Sequence, residues 1–129
     1  LGKAPKCAVI NFDDNYGRKI AERLLPETKL VSFGIDAQDA TICAKNIVMR
    51  PQNSTFTLVY PEGETQVKIN MPGHYNISNA LASLAMIYAS GRNILRAVEI
   101  LGKFRGIPGR MQKVQSPAKF DIFIDYFLD

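Results

Sequence analysis

The chain opens with two short apolar segments on either side of an amphipathic one. Residues 6–10 and 29–33 are apolar runs closed by polar or glycine residues, which is typical of buried strands. Residues 15–25 predict a helix that Pro26 ends. Its apolar face is predicted to consist of Tyr16, Ile20, Ala21 and Leu24. Strand, helix and strand in this order predict a right-handed βαβ unit with parallel strands.

The middle of the chain has a different pattern. Residues 41–49, 55–60 and 65–71 are rich in β-branched side chains and alternate between apolar and polar positions. A Pro-Glu-Gly-Glu segment at residues 61–64 is predicted to join the last two as a hairpin loop. In the last strand the predicted inward residues are Val67, Ile69 and Met71. The pattern indicates antiparallel strands with one face in water.

The last third of the chain is mostly helical in pattern. Residues 77–90 are apolar nearly all round and predict a buried helix. Asn93 is predicted to cap a second helix that reaches residue 104, with Ile94, Ala97, Val98 and Leu101 facing inward. A sharp turn made by Gly106, Pro108 and Gly109 then leads to predicted strands at 111–114 and 120–125. The fold class is therefore α/β: a parallel βαβ start, a small antiparallel sheet and two helices.

Composition narrows the classes of function. With 129 residues, 47% hydrophobic and 22% charged, the chain suits one globular domain. The net charge of +4 is scattered, so we expect no nucleic-acid partner, and no apolar run reaches the roughly 20 residues of a membrane span. Cys7 and Cys43 lie in apolar stretches without a CxxC motif. They predict reduced core thiols in a cytoplasmic protein.

Two asparagines are the first candidates for binding chemistry. Asn76 and Asn79 lie three residues apart where a strand gives way to the apolar helix, and His74 precedes them. A carboxamide both donates and accepts hydrogen bonds, so it can pair with the edge of adenine. The alternative is structural: Asn76 would be a helix N-cap, Asn79 a polar residue of the first turn, and His74 an ordinary loop residue.

Three further segments could carry chemistry. Arg110 lies in an Ile-Pro-Gly-Arg-Met turn, and a guanidinium suits bidentate phosphate contacts, although surface arginines commonly have no such role. Asp125 ends a predicted strand, where α/β sheets bind ligands and a ribose diol is a suitable partner. The Asn-Phe-Asp-Asp segment at residues 11–14 also follows a strand. Its carboxylates could cap a helix or approach a metal.

The order of these motifs resembles the Mur ligase family, the ATP-dependent ligases of peptidoglycan synthesis, from about residue 7 to residue 126. Asn-x-Asp-Asp at residues 11–14, Ser-Phe-Gly-Ile-Asp at 32–36 and Gly-Arg-Met at 109–111 are most similar to the members that add the third residue of the stem peptide. The resemblance implies that the chain is part of the family's central, P-loop-type domain.

The resemblance also implies a reaction. Such a ligase uses ATP and Mg²⁺ to join diaminopimelate or lysine to UDP-MurNAc-dipeptide through an acyl phosphate. Asn76 and Asn79 match asparagines at the adenine end of the ATP site, with His74 just before them as a further candidate. Arg110 matches a residue that reaches the ribose and phosphates. Asp125 matches a ribose contact that helps set domain closure. The segment 11–14 matches a family motif to which we assign no role.

The departures from the family matter as much. The sequence has no GxxGK[ST] phosphate loop and no counterpart of the family's metal-binding Glu and His or its carbamylated lysine. After Tyr126 the family continues Ala-His-Thr-Pro, whereas this chain reads Phe-Leu-Asp. We therefore expect residues 1–125 to be the second half of the central domain, and residues 126–129 to start a linker to a missing C-terminal domain.

Three interpretations follow from this. In the leading one, these residues contain neither a catalytic residue nor a metal ligand, and the chain alone is inactive although its parent is a ligase. The second is a related ligase, folylpolyglutamate synthase. The third is a non-catalytic nucleotide-binding or protein-interaction module. A phosphate loop encoded upstream of Leu1 would favour a ligase.

Overall fold

The computed structural model describes residues 7–104 and the backbone of residues 122–124. The described residues form one six-stranded mixed sheet, in the order β5-β4-β3-β2-β1-β6, and three helices. In chain order the elements are β1 (Cys7–Asn11), α1 (Asn15–Glu22), β2 (Lys29–Gly34), β3 (Ile42–Met49), β4 (Ser54–Tyr60), β5 (Gly63–Ile69), α2 (His74–Ala89), α3 (Ile94–Lys103) and β6 (Ile122–Ile124).

The parallel part of the sheet confirms the predicted βαβ unit. Strand β1 pairs in parallel with β2 on one side and with β6 on the other. Its residues from Cys7 to Ile10 are at most 3% exposed, and both α1 and α2 pack on the strand. One detail of α1 was predicted wrongly: Tyr16 is 56% exposed. The buried residue of that helix is Gly17.

Strands β3, β4 and β5 form the predicted antiparallel group, which we call the antiparallel arm. Along β4, Ser54, Phe56 and Leu58 are buried while the residues between them are partly exposed. One face of the arm therefore packs on the core and the other meets water, as predicted. The arm is not a separate sheet, since β3 also pairs in parallel with the end of β2, through Phe33 to Ile42 and Gly34 to Cys43.

The junction between β2 and β3 is staggered. Strand β3 starts beside the last residues of β2 and continues beyond them in the same direction. The chain therefore needs no crossover helix, which parallel neighbours usually require. Ser32 and Thr41 close the junction, because the amide of each donates to the hydroxyl oxygen of the other, at 3.1 and 2.8 Å.

Helix α2 is buried against the sheet, as predicted, and its side chains form the centre of the main core with those of β1, β2 and the arm. Because β5 runs in the same direction as β1 and β2, α2 begins near the carboxyl ends of the parallel strands. It ends at their amino ends, where the Tyr88 ring lies 5.8 Å from the Lys29 ammonium. Asn93 caps α3, and its Oδ1 accepts from the amides of Leu95 and Arg96.

Other predictions fall partly outside the described residues. The predicted turn at residues 106–109 and strand at 111–114 lie outside them, and β6 falls within the predicted strand 120–125. Cys7 and Cys43 are free and buried, and burial raises the pKa of both thiols. In the described part, no helix has the length and apolar character needed to cross a membrane.

Candidate functional site

The first two turns of α2 contain the three predicted binding residues that lie in the described part, His74, Asn76 and Asn79. Gly73 is the N-cap, with a φ of 97° that favours glycine, and it offers no side chain to the free amides of the first turn. That turn contains no acidic residue. His74 and Tyr75 are exposed there, Tyr75 by 73%. The free amides give this end of the helix a partial positive charge.

Asn76 is held at the third position of this helix and is not its N-cap. Its Nδ2 donates to the carbonyl oxygen of Pro72 at 2.7 Å, so the side chain folds back over the start of the helix. The structural alternative that made Asn76 the cap is therefore wrong, because Gly73 takes that position. The hydrogen bond to Pro72 leaves the Asn76 Oδ1 without a partner among the described residues and available as an acceptor.

Asn79 differs from the other buried polar residues of the described part. Those residues are Thr28, Ser32, Ser54 and Asn79 itself. Ser32 pairs with Thr41, Ser54 donates to the Met71 carbonyl oxygen at 2.9 Å, and Thr28 also has an interaction partner. Asn79 is only 4% exposed, yet its carboxamide makes no hydrogen bond to any described residue. A buried carboxamide without partners costs about 1–3 kcal/mol, which a bound ligand can recover.

Arg110 and Asp125, the other predicted binding residues, lie outside the described residues. The backbone of β6 nevertheless fixes one relationship. Ile124 pairs with Val9 of β1, so β6 ends at the same end of the sheet as β1 and β2. The start of α2 is directed toward this end as well, which is where α/β sheets commonly bind ligands.

The segment at residues 11–14 has a structural use for each polar side chain. Asn11 Oδ1 accepts from the amide of Asp13, and Asp14 caps α1 by accepting from the amide of Tyr16 at 3.0 Å. Asp13 reaches further and accepts from three backbone amides of the loop after β2. Of the two alternatives, helix capping is therefore confirmed for Asp14. In the described part, no cluster of three metal-binding side chains occurs.

An ion pair beside this segment was missed at the level of sequence. The guanidinium of Arg18 donates to both carboxylate oxygens of Asp39, at 3.0 and 2.8 Å, and its Nε donates to the carbonyl oxygen of Phe12. The hydrogen bond from Arg18 holds the pKa of Asp39 below its ordinary value. Both residues carry charges in a polar segment, and nothing in their spacing indicates the contact.

The fold and these contacts define a class: a mixed α/β sheet with a polar helix start, without a side-chain cap, at the carboxyl end of its parallel strands. A family model described as the Mur ligase middle domain matches residues 2–87. The chain therefore belongs to the Mur ligase family.

Individual relatives agree with this assignment. A UDP-N-acetylmuramoyl-L-alanyl-D-glutamate–2,6-diaminopimelate ligase of Alkaliphilus metalliredigens is 40% identical over 92% of this chain and 24% of its own length. The enzyme of the same name from Bacillus licheniformis is 33% identical over 96% of this chain and 25% of its own. The chain thus spans about a quarter of the length of these relatives.

Solved structures show the same fold. A structure of a UDP-N-acetylmuramoyl-L-alanyl-D-glutamate–2,6-diaminopimelate ligase is 28% identical, with a TM-score of 0.71, and covers 87% of this chain and 24% of its own. MurF from Acinetobacter baumannii is 27% identical with a TM-score of 0.70, again over 87% of this chain and 24% of its own.

Proposed function

We propose that this chain is the adenosine-binding part of an ATP-dependent ligase of the type UDP-N-acetylmuramoyl-tripeptide synthetase (MurE). The whole protein would join an amino acid to the carboxyl group of UDP-MurNAc-dipeptide. Because the relatives described above are named for 2,6-diaminopimelate, we propose that amino acid as the substrate rather than lysine.

The observation that carries the proposal is the buried carboxamide of Asn79. At 4% exposure and without a hydrogen bond to any described residue, it suits a ligand that presents both a donor and an acceptor. Adenine has such an edge. The free Oδ1 of Asn76, one helical turn before it, adds an acceptor for an exocyclic amine. In this role the start of α2 binds and orients the adenosine, and His74 borders the site.

Arg110 and Asp125 complete the proposed site by the family resemblance. Arg110 would bind ribose or phosphate oxygens, and Asp125, directly after β6, would accept from the ribose hydroxyls. ATP supplies the phosphoryl group that activates the substrate carboxylate. Magnesium is proposed for the whole ligase only, because the described residues offer no cluster of metal-binding side chains. No step of phosphoryl transfer is assigned to a residue of this chain.

The proposal is tested on the full-length protein. We expect UDP-MurNAc-dipeptide, ATP and diaminopimelate to give UDP-MurNAc-tripeptide and ADP, with lysine at least ten-fold less effective. Product formed equally well from lysine would contradict the choice of amino acid, and no ATP-dependent product would contradict the ligase itself. The 129 residues alone, which contain no phosphate loop, should neither hydrolyse ATP nor form product.

A variant of Asp125 tests the ribose contact. Asp125→Ala in the full-length protein should raise the Michaelis constant for ATP about ten-fold, because a ligand hydrogen bond to a charged group is lost. Glu64→Ala, which removes an exposed ion pair with Lys45 on the arm, is the matched control and should leave the constant unchanged. Equal values for both variants would remove Asp125 from the site.

A further inference from the structure

The motif at residues 11–14 contains two adjacent aspartates that make different kinds of contact. Asp14 serves its own helix, where it accepts from the amide of Tyr16, two residues away. Asp13 reaches across to the loop at residues 35–41, which joins β2 to the antiparallel arm. Its Oδ2 accepts from the amide of Ile35 at 2.7 Å, and its Oδ1 accepts from those of Asp36 and Ala37 at 2.9 Å each.

The backbone around these contacts is shaped for a close approach. A Cβ atom at Gly34 would lie 2.9 Å from the Asp13 Oδ1 and 2.9 Å from the Ala37 Cβ, so a side chain there would displace the carboxylate or the loop. The ion pair of Arg18 with Asp39 joins α1 to the same loop. The loop is therefore held by two contacts, one to Asp13 in the turn after β1 and one to Arg18 in α1.

The loop matters because the arm depends on it. Strand β3 pairs with β2 only through Phe33 to Ile42 and Gly34 to Cys43, at the point where the loop ends. Beyond that point the arm extends past β2 without parallel pairing to it. A shift of the loop would therefore move the start of β3, and β4 and β5 would follow through their continuous ladders.

The far end of the arm holds the start of α2. The hydroxyl of Ser54, fully buried at the start of β4, donates to the carbonyl oxygen of Met71 at 2.9 Å. The next carbonyl, that of Pro72, accepts from Asn76. The first turn of α2 is thus hydrogen-bonded to the segment that leaves the arm, while the rest of the helix packs on the sheet.

We propose that Asp13 is a positioning residue for the nucleotide site, which acts by holding the antiparallel arm, and through it Asn76 and the first turn of α2, in place against the parallel strands. This inference rests on the proposed adenosine role of that turn. Asp13 does not touch the nucleotide in this account; its carboxylate is occupied by the loop amides.

Asp13→Ala and Asp14→Ala are a matched pair for the test, since each removes one carboxylate that accepts backbone hydrogen bonds from the same short segment. In the full-length protein, hydrogen exchange should become about ten-fold faster in residues 35–49 for Asp13→Ala, and only in α1 for Asp14→Ala. The Michaelis constant for ATP should rise about ten-fold for Asp13→Ala with a smaller change in kcat, because ligand positioning is lost. Asp14→Ala should leave it unchanged.

Asp13→Asn, which keeps an acceptor for Asp36 and Ala37 but offers an amide to Ile35, should give an intermediate Michaelis constant. Equal Michaelis constants for the two alanine variants would overturn the proposal. Faster hydrogen exchange without a change in the Michaelis constant would make Asp13 a purely structural residue and would also overturn the proposal. A changed Michaelis constant without faster exchange would overturn it as well. A wild-type protein without ligase activity would refute the proposed function, while the exchange comparison would still test the attachment of the loop.

Discussion

The parallel strands and the antiparallel arm belong to one sheet but are buried in different ways. Strand β1 is buried on both faces, so Val9 and Ile10, which point in opposite directions, are both 0% exposed. In β5 of the arm, Val67 is buried at 1% exposure while Lys68 beside it is exposed. A continuous apolar run therefore indicates a strand that is buried on both faces, and an alternating run indicates a strand that is buried on one face. Both patterns are local and can be recognised in the sequence.

The largest change in the free energy of unfolding should come from alanine substitutions in β1, and the same substitutions in β5 of the arm provide the comparison. Ile10→Ala should lower the free energy of unfolding by about 2–4 kcal/mol, because it leaves a cavity under α1, and Val9→Ala should also be clearly destabilising. In the arm, Val67→Ala should be destabilising, whereas Lys68→Ala should stay within about 0.5 kcal/mol of the wild type. Urea unfolding midpoints measure all four. An unchanged midpoint for Ile10→Ala would contradict the burial of β1 on both faces.

A substitution at the junction between the two regions should give the next largest change in the free energy of unfolding. Gly34→Ala should destabilise by about 1–3 kcal/mol, because its Cβ would lie 2.9 Å from both Ala37 and Asp13. Gly102→Ala is the matched control within α3, where the nearest atom, the Lys68 carbonyl oxygen, is 3.7 Å away. That change should stabilise by about 0.5–1 kcal/mol, since alanine favours a helix. Thermal unfolding should give opposite signs, and equal signs would argue against the close approach at Gly34.

The smallest change in stability should come from loss of the ion pair between Arg18 and Asp39, which joins α1 to the loop at residues 35–41. Arg18 lowers the pKa of Asp39, so the pair stabilises the fold at pH values above the ordinary carboxyl pKa of 3.8. That contribution is lost as the pH falls through the lowered pKa. Both residues are solvent-exposed, so we expect a small change. Melting temperatures between pH 5 and pH 2.5 should fall slightly more steeply for the wild type than for Asp39→Asn, and parallel curves would show that the pair contributes nothing.

Much of the fold could be predicted from the sequence because its signals are local. The alternating arm, the apolar α2 and the Asn93 cap of α3 each depend on residues near in the chain. The staggered junction could not be predicted, since it depends on contacts between Asp13 and a loop more than 20 residues away. Tyr16 was misplaced for a related reason: helical periodicity identified an apolar face, but which side of α1 is buried depends on tertiary packing, and the helix buries Gly17 instead.

The candidate site shows the same division. The spacing of Asn76 and Asn79 identified the segment, and the resemblance to a family supplied the possible ligand. The structure shows that Asn79 is buried without a partner and that Asn76 is hydrogen-bonded to Pro72. This difference depends on how α2 packs, so it could not be predicted from the sequence. The positions of Arg110 and Asp125 stay a prediction.

Asn79→Leu in the full-length protein tests the central claim most directly, because it separates binding from stability. Leucine has the same number and branching of side-chain heavy atoms as asparagine and needs no hydrogen bond, so relief of a buried unpaired carboxamide should leave the melting temperature of the nucleotide-free protein unchanged or higher. The Michaelis constant for ATP should rise about ten-fold or more, as adenine loses its partner. A lower melting temperature together with an unchanged Michaelis constant would mean that Asn79 is a structural residue and that the adenosine site lies elsewhere.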